Sequence, residues 1–127
     1  MKIAIATKGH ATVSGHAGQT PTWMVYDCTP GQPLPAAQAL TLQKNQLFHH
    51  FNDEGPHPLD GVEIVVAASA GDGFVRHMQR RGAQVLLTGE TDPAAALKKI
   101  LAGEALPDTR FDVTTTLCKL RDLFSRH

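Results

Sequence analysis

"GVEIVVAASAGDGFVRHMQRRGAQVLLTGETDPAAALKKILAGE", residues 61–104, alternates two kinds of pattern, and that alternation decides the fold. "VEIVVAA" (62–68) is a short β-branched apolar run of the length and composition of a buried strand. "GDGFVRHMQRRG" (71–82) changes period: Phe74 and Met78 stand four apart, as on one face of a helix, and Gly82 sits where a helix stops. "AQVLLT" (83–88) is again a strand. "TDPAAALKKILAG" (91–103) is a second helix, with Thr91 or Asp92 to cap it, Pro93 in its first turn and Gly103 to end it. Leu97, Ile100 and Leu101 form its apolar stripe. Two strand–helix units in succession, joined by short connections, require parallel strands and crossover helices.

The first half supplies the rest of the sheet. "KIAIAT" (2–7) reads as a buried strand broken by Lys8-Gly9, and "TWMVYDC" (22–28) as a second strand. "AAQALTL" (36–42) is a weaker third, joined to the second by a hairpin through Pro30-Gly31. "QKNQLFHHFN" (43–52) predicts a short helix, because Leu47, Phe48 and Phe51 share a face, and 53–61 is a loop. The order β-β-β-α-β-α-β-α predicts an α/β fold, a mixed five-stranded sheet with flanking helices, in which 2–7, 62–67 and 83–88 run parallel.

Composition narrows the function. A chain of 127 residues is about one domain. Lysine plus arginine and aspartate plus glutamate each total 12, so there is no basic excess for general nucleic-acid binding. Cys28 and Cys118 form no Cys-x-x-Cys pair, which argues against a zinc ribbon or finger. The apolar run 2–7 is too short for a signal peptide or membrane span. The expectation is a cytoplasmic protein with reduced thiols.

Parallel strands gather their carboxyl ends on one edge of the sheet, where open α/β folds bind ligands. That edge is expected to collect Lys8, His10, Ser14 and His16 after the first strand, Ser69–Gly73 after the strand at 62–68, and Thr88–Asp92 after 83–88. Two helix N-termini open there, and their unbonded N–H groups favour anions. Gly71-x-Gly73 lacks the third glycine of a dinucleotide fingerprint. His49, His50 and His57 are read as polar groups of a helix end and loop, since adjacent helical histidines diverge by about 100°. His77, among Arg76, Arg80 and Arg81, is read as part of an exposed polar face. Cys28 falls at the far edge and reads as a buried small hydrophobe. For His16, residue-level reasoning leaves ligand and turn residue both open.

"VSGHAGQTPTWMVYD" (13–27) resembles the signature of the dinitrogenase iron-molybdenum cofactor biosynthesis family, through Val13, Ser14, His16, Gly18, Trp23, Tyr26 and Asp27. Residues 61–104 resemble that family's second half, so the likeness spans about 1–104 as one cofactor-biosynthesis-like domain. It implies a ribonuclease H-like α/β fold without the nuclease's acidic site. It also implies a non-enzymatic protein that binds or carries an iron–sulfur or iron-molybdenum cofactor precursor, with cofactor-maturation proteins or apo-dinitrogenase as partners. His16 is then the candidate metal ligand, and His10, Ser14, Gly71 and Gly73 complete the candidate cofactor-binding set. Imidazole suits iron, and helix N-termini offset the charge of a sulfide-rich cluster. Ala17 departs from the phenylalanine usual in the family. Residues 105–127 lie outside the shared core, and "TTTLCKLRDLFSRH" reads as an additional helix. The alternative is a small-anion-binding enzyme or sensor using the same sheet edge. A nuclease would need clustered carboxylates to hold its metals, and Asp27 stands at the wrong end of its strand.

Overall fold

The apolar run near the start of the chain becomes the centre of the sheet. In a computed structural model, which describes residues 1–29, 35–48 and 57–101, strand β1 (Lys2–Lys8) buries its five middle residues. A strand covered on both faces has no use for alternating polarity, which explains the unbroken "IAIAT". β1 pairs antiparallel with β3 (Thr22–Asp27), from Lys2↔Asp27 to Thr7↔Thr22, and β3 pairs antiparallel with β4 (Gln38–Thr41). On its other side β1 runs parallel to β5 (Val62–Ala67), and β5 parallel to β6 (Gln84–Leu87). The order is β4-β3-β1-β5-β6.

Helix α1 (Asp72–Arg80) covers one face and α2 (Pro93–Leu101) the other. Ala4, Ala6, Trp23, Val65, Ala67 and Val85 face Phe74 and Met78 of α1. Ile3, Ile5, Ile64, Val66 and Leu86 face Ala96, Leu97 and Ile100 of α2. Successive strand residues point to opposite faces, so each strand feeds both layers. Small alanines of β1 meet the bulky aromatics on the α1 side, while its isoleucines meet the smaller α2 stripe. The α/β fold with a mixed sheet, and the parallel neighbours at 62–67 and 83–87, stand as the sequence predicts.

The sheet has six strands rather than five. β2 (Thr12–Val13) pairs antiparallel with the last residues of β1, Thr7↔Val13 and Lys8↔Thr12. Gly9 and His10 between them both have φ near +60°, and Ala11 N–H returns to the Lys8 carbonyl at 3.2 Å. That is the tight hairpin geometry with two left-handed central residues. Two residues carry no periodicity, so β2 leaves no mark in the sequence beyond Gly9.

The helix expected over 43–52 is also corrected for its described part. Lys44–Gln46 form a single 3-10 turn, capped reciprocally by Gln43 and Gln46, and Leu47 is already extended. The three-residue apolar stripe is too short to repay helix nucleation. The Gln46 carbonyl instead accepts a hydrogen bond from His57 Nε2 at 2.7 Å. The Pro30-Gly31 link, Gly103, Cys118 and the expected helix in 105–127 lie outside the described residues.

Both α-helix boundaries follow the sequence. Asp92 Oδ1 accepts the Ala94 N–H at 3.2 Å with Pro93 in the first helical position. Gly82, at φ +83°, closes α1: its N–H reaches the Gln79 carbonyl and the Ala83 N–H reaches the Met78 carbonyl. Gly82→Ala is therefore expected to cost about 1–2 kcal/mol, because only the left-handed conformation makes both bonds. Gly73→Ala, inside α1 with nothing within 4 Å of the added carbon, is expected to gain roughly 0.5–1 kcal/mol. Melting curves of the two variants, moving in opposite directions, check the assignment.

Candidate functional site

Past Ile5↔Val66 the β1–β5 ladder ends and the returning chain takes over. Ser14 N–H donates to the Ala6 carbonyl, and the Ser14 carbonyl accepts from Ala68 N–H, both at 2.8 Å. Ser14 thus lies between the upper ends of β1 and β5. Val13 N–H donates to the Thr91 carbonyl at 2.8 Å, so the loop leading to α2 is tied to β2 as well.

From this anchored point the chain turns through His16, at φ +60° and ψ +51°, into a 3-10 turn over Ala17–Gln19. A Cβ makes left-handed backbone unfavourable, although histidine tolerates it better than most residues. Several bonds hold it there. His16 N–H donates to Ser69 Oγ at 3.2 Å, and its carbonyl accepts from Gln19 N–H at 2.9 Å and Thr20 Oγ1 at 3.1 Å. The fully buried Trp23 supports that last contact by donating its indole N–H to the Thr20 carbonyl at 2.9 Å. Ala17, where the family resemblance leads one to expect phenylalanine, is itself buried against the α1-side core.

The result is an exposed imidazole standing between two clefts. One, about 420 Å³, is lined by His16, Gly18 and Gln19, by Gly71 and Gly73 at the start of α1, and by Phe48, Phe74 and His77. The first turn of α1 has no side-chain cap, and added carbons at Gly71 or Gly73 would meet open space. First-turn N–H groups have no partner within their own helix, and with the helix dipole they make this part of the lining attractive to negative charge. The other cleft, about 540 Å³, runs from Thr7 and Lys8 past Ser14 to Thr20–Thr22. Its hydroxyls are engaged internally: Thr7 with the Thr22 carbonyl, Thr22 with the Thr7 carbonyl, Ser14 with Thr20.

Of the sequence-derived candidates, the structure brings His16, Gly71 and Gly73 to one cleft and places Ser14 with His16 on the other. His10 lines neither. Its ring turns to β4, with Nε2 3.2 Å from the Leu40 carbonyl, and its N–H donates to Thr7 Oγ1. Thr88–Asp92 support the loop through Thr91 but line neither cleft. Cys28 lies at the other end of β3, buried, with burial pushing its thiol up. Among the described residues, no three His, Cys, Asp or Glu side chains converge as a metal-holding group.

Two histidines differ from their expected solvated roles. His77 is buried, packing edge-on against Phe48 with centroids 5.4 Å apart. It sits three residues after Phe74 and one before Met78, on the apolar stripe of α1, and that spacing was the available signal. His57 is 5% exposed and stacks on Phe48 at 4.4 Å. Its Nδ1 accepts the Leu59 N–H at 3.0 Å while Nε2 faces the Gln46 carbonyl, so the bonds select the neutral ring protonated on Nε2. Phe48 also meets Trp23 and Phe74 edge-on, and forms the floor that joins the cleft to the core.

The chain's relatives can now be set beside this geometry. The model of the family described as dinitrogenase iron-molybdenum cofactor matches residues 1–103. The chain belongs to that family. A search of curated proteins gives no match. Among solved structures, PH0822 superposes with a TM-score of 0.64 at 19% identity, covering 85% of this chain and 96% of that one. A Thermotoga protein provisionally assigned as NifB gives 0.58 at 18%, covering 87% and 95%. A Methanocaldococcus jannaschii protein provisionally assigned as a dinitrogenase gives 0.61 at 10%, covering 82% and 90%. At these identities the three share the fold. Among the described residues no helix is long and apolar enough to cross a membrane.

The buried ring of His57 sets a pH dependence. Burial pushes its pKa below the ordinary 6.5, outweighing the Gln46 carbonyl and Asp60, while Arg81 and His77 push it further down. The unfolded chain therefore takes up this proton first as pH falls. The stabilisation is complete above about 6.5 and is lost as pH drops from there through the lowered folded value. The melting temperature is expected to fall between pH 7 and 5, and His57→Gln, which has no titrating ring, to show a shallower slope. An equal slope in the variant would remove His57 as the source.

Proposed function

We propose that this family member is a non-enzymatic carrier that holds an iron–sulfur or iron-molybdenum cofactor precursor as cargo, with His16 as its metal ligand. The observation that carries the reading is an exposed imidazole, fixed in left-handed backbone, that lines the same cleft as the uncapped start of α1. The donor set suits transient cargo. One accessible nitrogen leaves the remaining coordination positions of an iron centre open, and imidazole is an acceptable iron ligand. The α1 N-terminus favours the net negative charge of a sulfide-rich cluster. A cargo held this way can leave for a better-endowed site on a receiving protein, such as a maturation protein or apo-dinitrogenase. The ribonuclease H-like description goes with this reading, supported by a central β1 flanked by an antiparallel pair and a parallel pair.

The same uncapped helix start favours one alternative, a small-anion-binding enzyme or sensor. The two readings separate in the absence of oxygen. A carrier incubated with isolated iron-molybdenum cofactor or a synthetic [4Fe–4S] cluster gives a stable coloured complex. An anion binder takes up neither, and phosphate raises its melting temperature by mass action.

His16→Ala is expected to weaken cluster binding by roughly tenfold or more. His16→Gly is expected to weaken it as much while stabilising the fold by about 1 kcal/mol, because glycine meets no steric cost at φ +60°. Loss of binding with a gain in stability cannot come from unfolding. His10→Ala, whose ring faces the Leu40 carbonyl, is expected to leave binding near wild type. Unchanged binding in both His16 variants would refute the ligand assignment, and no cluster uptake by the wild type would refute the carrier.

A further inference from the structure

We infer that Ser69 is a positioning residue for His16, its hydroxyl holding the loop in the backbone state that aims the imidazole between the clefts. The inference rests on the carrier reading for its functional consequence, but its structural part stands alone. Three bonds join the end of β5 to the loop: Ala68 N–H to the Ser14 carbonyl, Ala17 N–H to the Ser69 carbonyl at 3.3 Å, and His16 N–H to Ser69 Oγ at 3.2 Å. The first two run from main chain to main chain, so any residue at 68 and 69 supplies them. Only the third depends on which side chain stands at 69, and it acts on the candidate ligand itself.

That contact opposes a definite tendency. Left-handed backbone is a minority state for any residue with a Cβ, and each backbone basin points the side chain in a different direction. An exposed loop released from Ser69 is expected to drift toward negative φ at His16 and spread the imidazole over several orientations. A ligand that must be ordered on binding binds more weakly than one already in place. Gly15 supports the same assignment. A Cβ on it would stand 3.1 Å from Ser69 Oγ, tighter than ordinary contact, so the oxygen approaches the loop closely only because residue 15 has no side chain. Gly15 has no positive φ, so its need for glycine lies in this approach and not in its backbone conformation.

The test is a double-mutant cycle with a synthetic [4Fe–4S] cluster under anaerobic conditions, beside NMR of the cluster-free protein. Ser69→Ala is expected to weaken cluster binding about threefold to tenfold, the range of one net hydrogen bond. In the His16→Ala background the same substitution is expected to change nothing further, and Ser69→Thr, which keeps the oxygen, to restore most of the affinity. Gly15→Ala is expected to act like Ser69→Ala, by displacing that oxygen. In the NMR arm, the three-bond amide coupling and carbon shifts of His16 are expected to report left-handed backbone in the wild type. Ser69→Ala is expected to shift them toward negative φ. An equal loss of affinity with and without His16, or unchanged affinity in Ser69→Ala, would overturn the positioning role. So would a His16 that keeps its left-handed signature without the hydroxyl. If the wild type takes up no cluster, the carrier reading fails, and the NMR arm still decides for or against the positioning of His16 by Ser69.

Discussion

The rest of the structure depends on satisfying the backbone of β1. This strand is buried on both faces, so each N–H and C=O along it needs a protein partner. β3 supplies one side from Lys2 to Thr7, but β5 covers the other only as far as Ile5↔Val66. The upper residues of β1 would be left open on that side. The chain closes the gap itself, by turning at Gly9-His10 and laying Thr12–Ser14 into the vacant register. The fold therefore brings residues 14–19 to the carboxyl edge of the sheet before any question of ligand arises.

Once the loop is there, the remaining contacts read as a graded support for one side chain. Trp23, at the bottom, is fully buried and holds Thr20, and Thr20 holds the His16 carbonyl. From β5, Ser69 holds the His16 N–H. The backbone of His16 is thus bonded on both sides while its ring remains exposed. Rigid support beneath an accessible side chain lowers the ordering cost of any ligand that meets it. α1 begins with Gly71 and Gly73 on either side of the exposed Asp72, so the backbone is open at those two positions beside one carboxylate.

The aromatic floor explains why two histidines that look polar in the sequence are structural. Phe48 touches Trp23, Phe74, His57 and His77, four rings from β3, α1 and the 57–60 turn. Burying an imidazole is acceptable when its polar atoms are bonded, and His57 shows the required pattern with Leu59 and Gln46. Arg81 adds a surface ion pair to Asp60, whose carboxyl is held down chiefly by the His57 N–H. This corner couples the 57–60 turn to the end of α1.

The layers can be read from the chain alone, because they depend on local period. Residues 61–101 switch between strand and helix spacing, and their caps at Asp92, Pro93 and Gly82 are local hydrogen-bonding chemistry. Parallel strands then placed Gly71, Gly73 and His16 on one edge by topology, and the motif at 13–27 marked the family. The rest turns on contacts between residues far apart in the chain, and no local pattern encodes it. β2 exists because β1 has an unfilled edge, not because Thr12 and Val13 have strong strand character. Residues 44–46 make one turn, and His57, eleven positions from Gln46, takes its carbonyl. His10 and His16 share the same left-handed backbone and nearly the same stretch of sequence. Yet one ring is drawn to the Leu40 carbonyl of β4 and the other is left exposed between two clefts, a difference set by which neighbours the fold brings near.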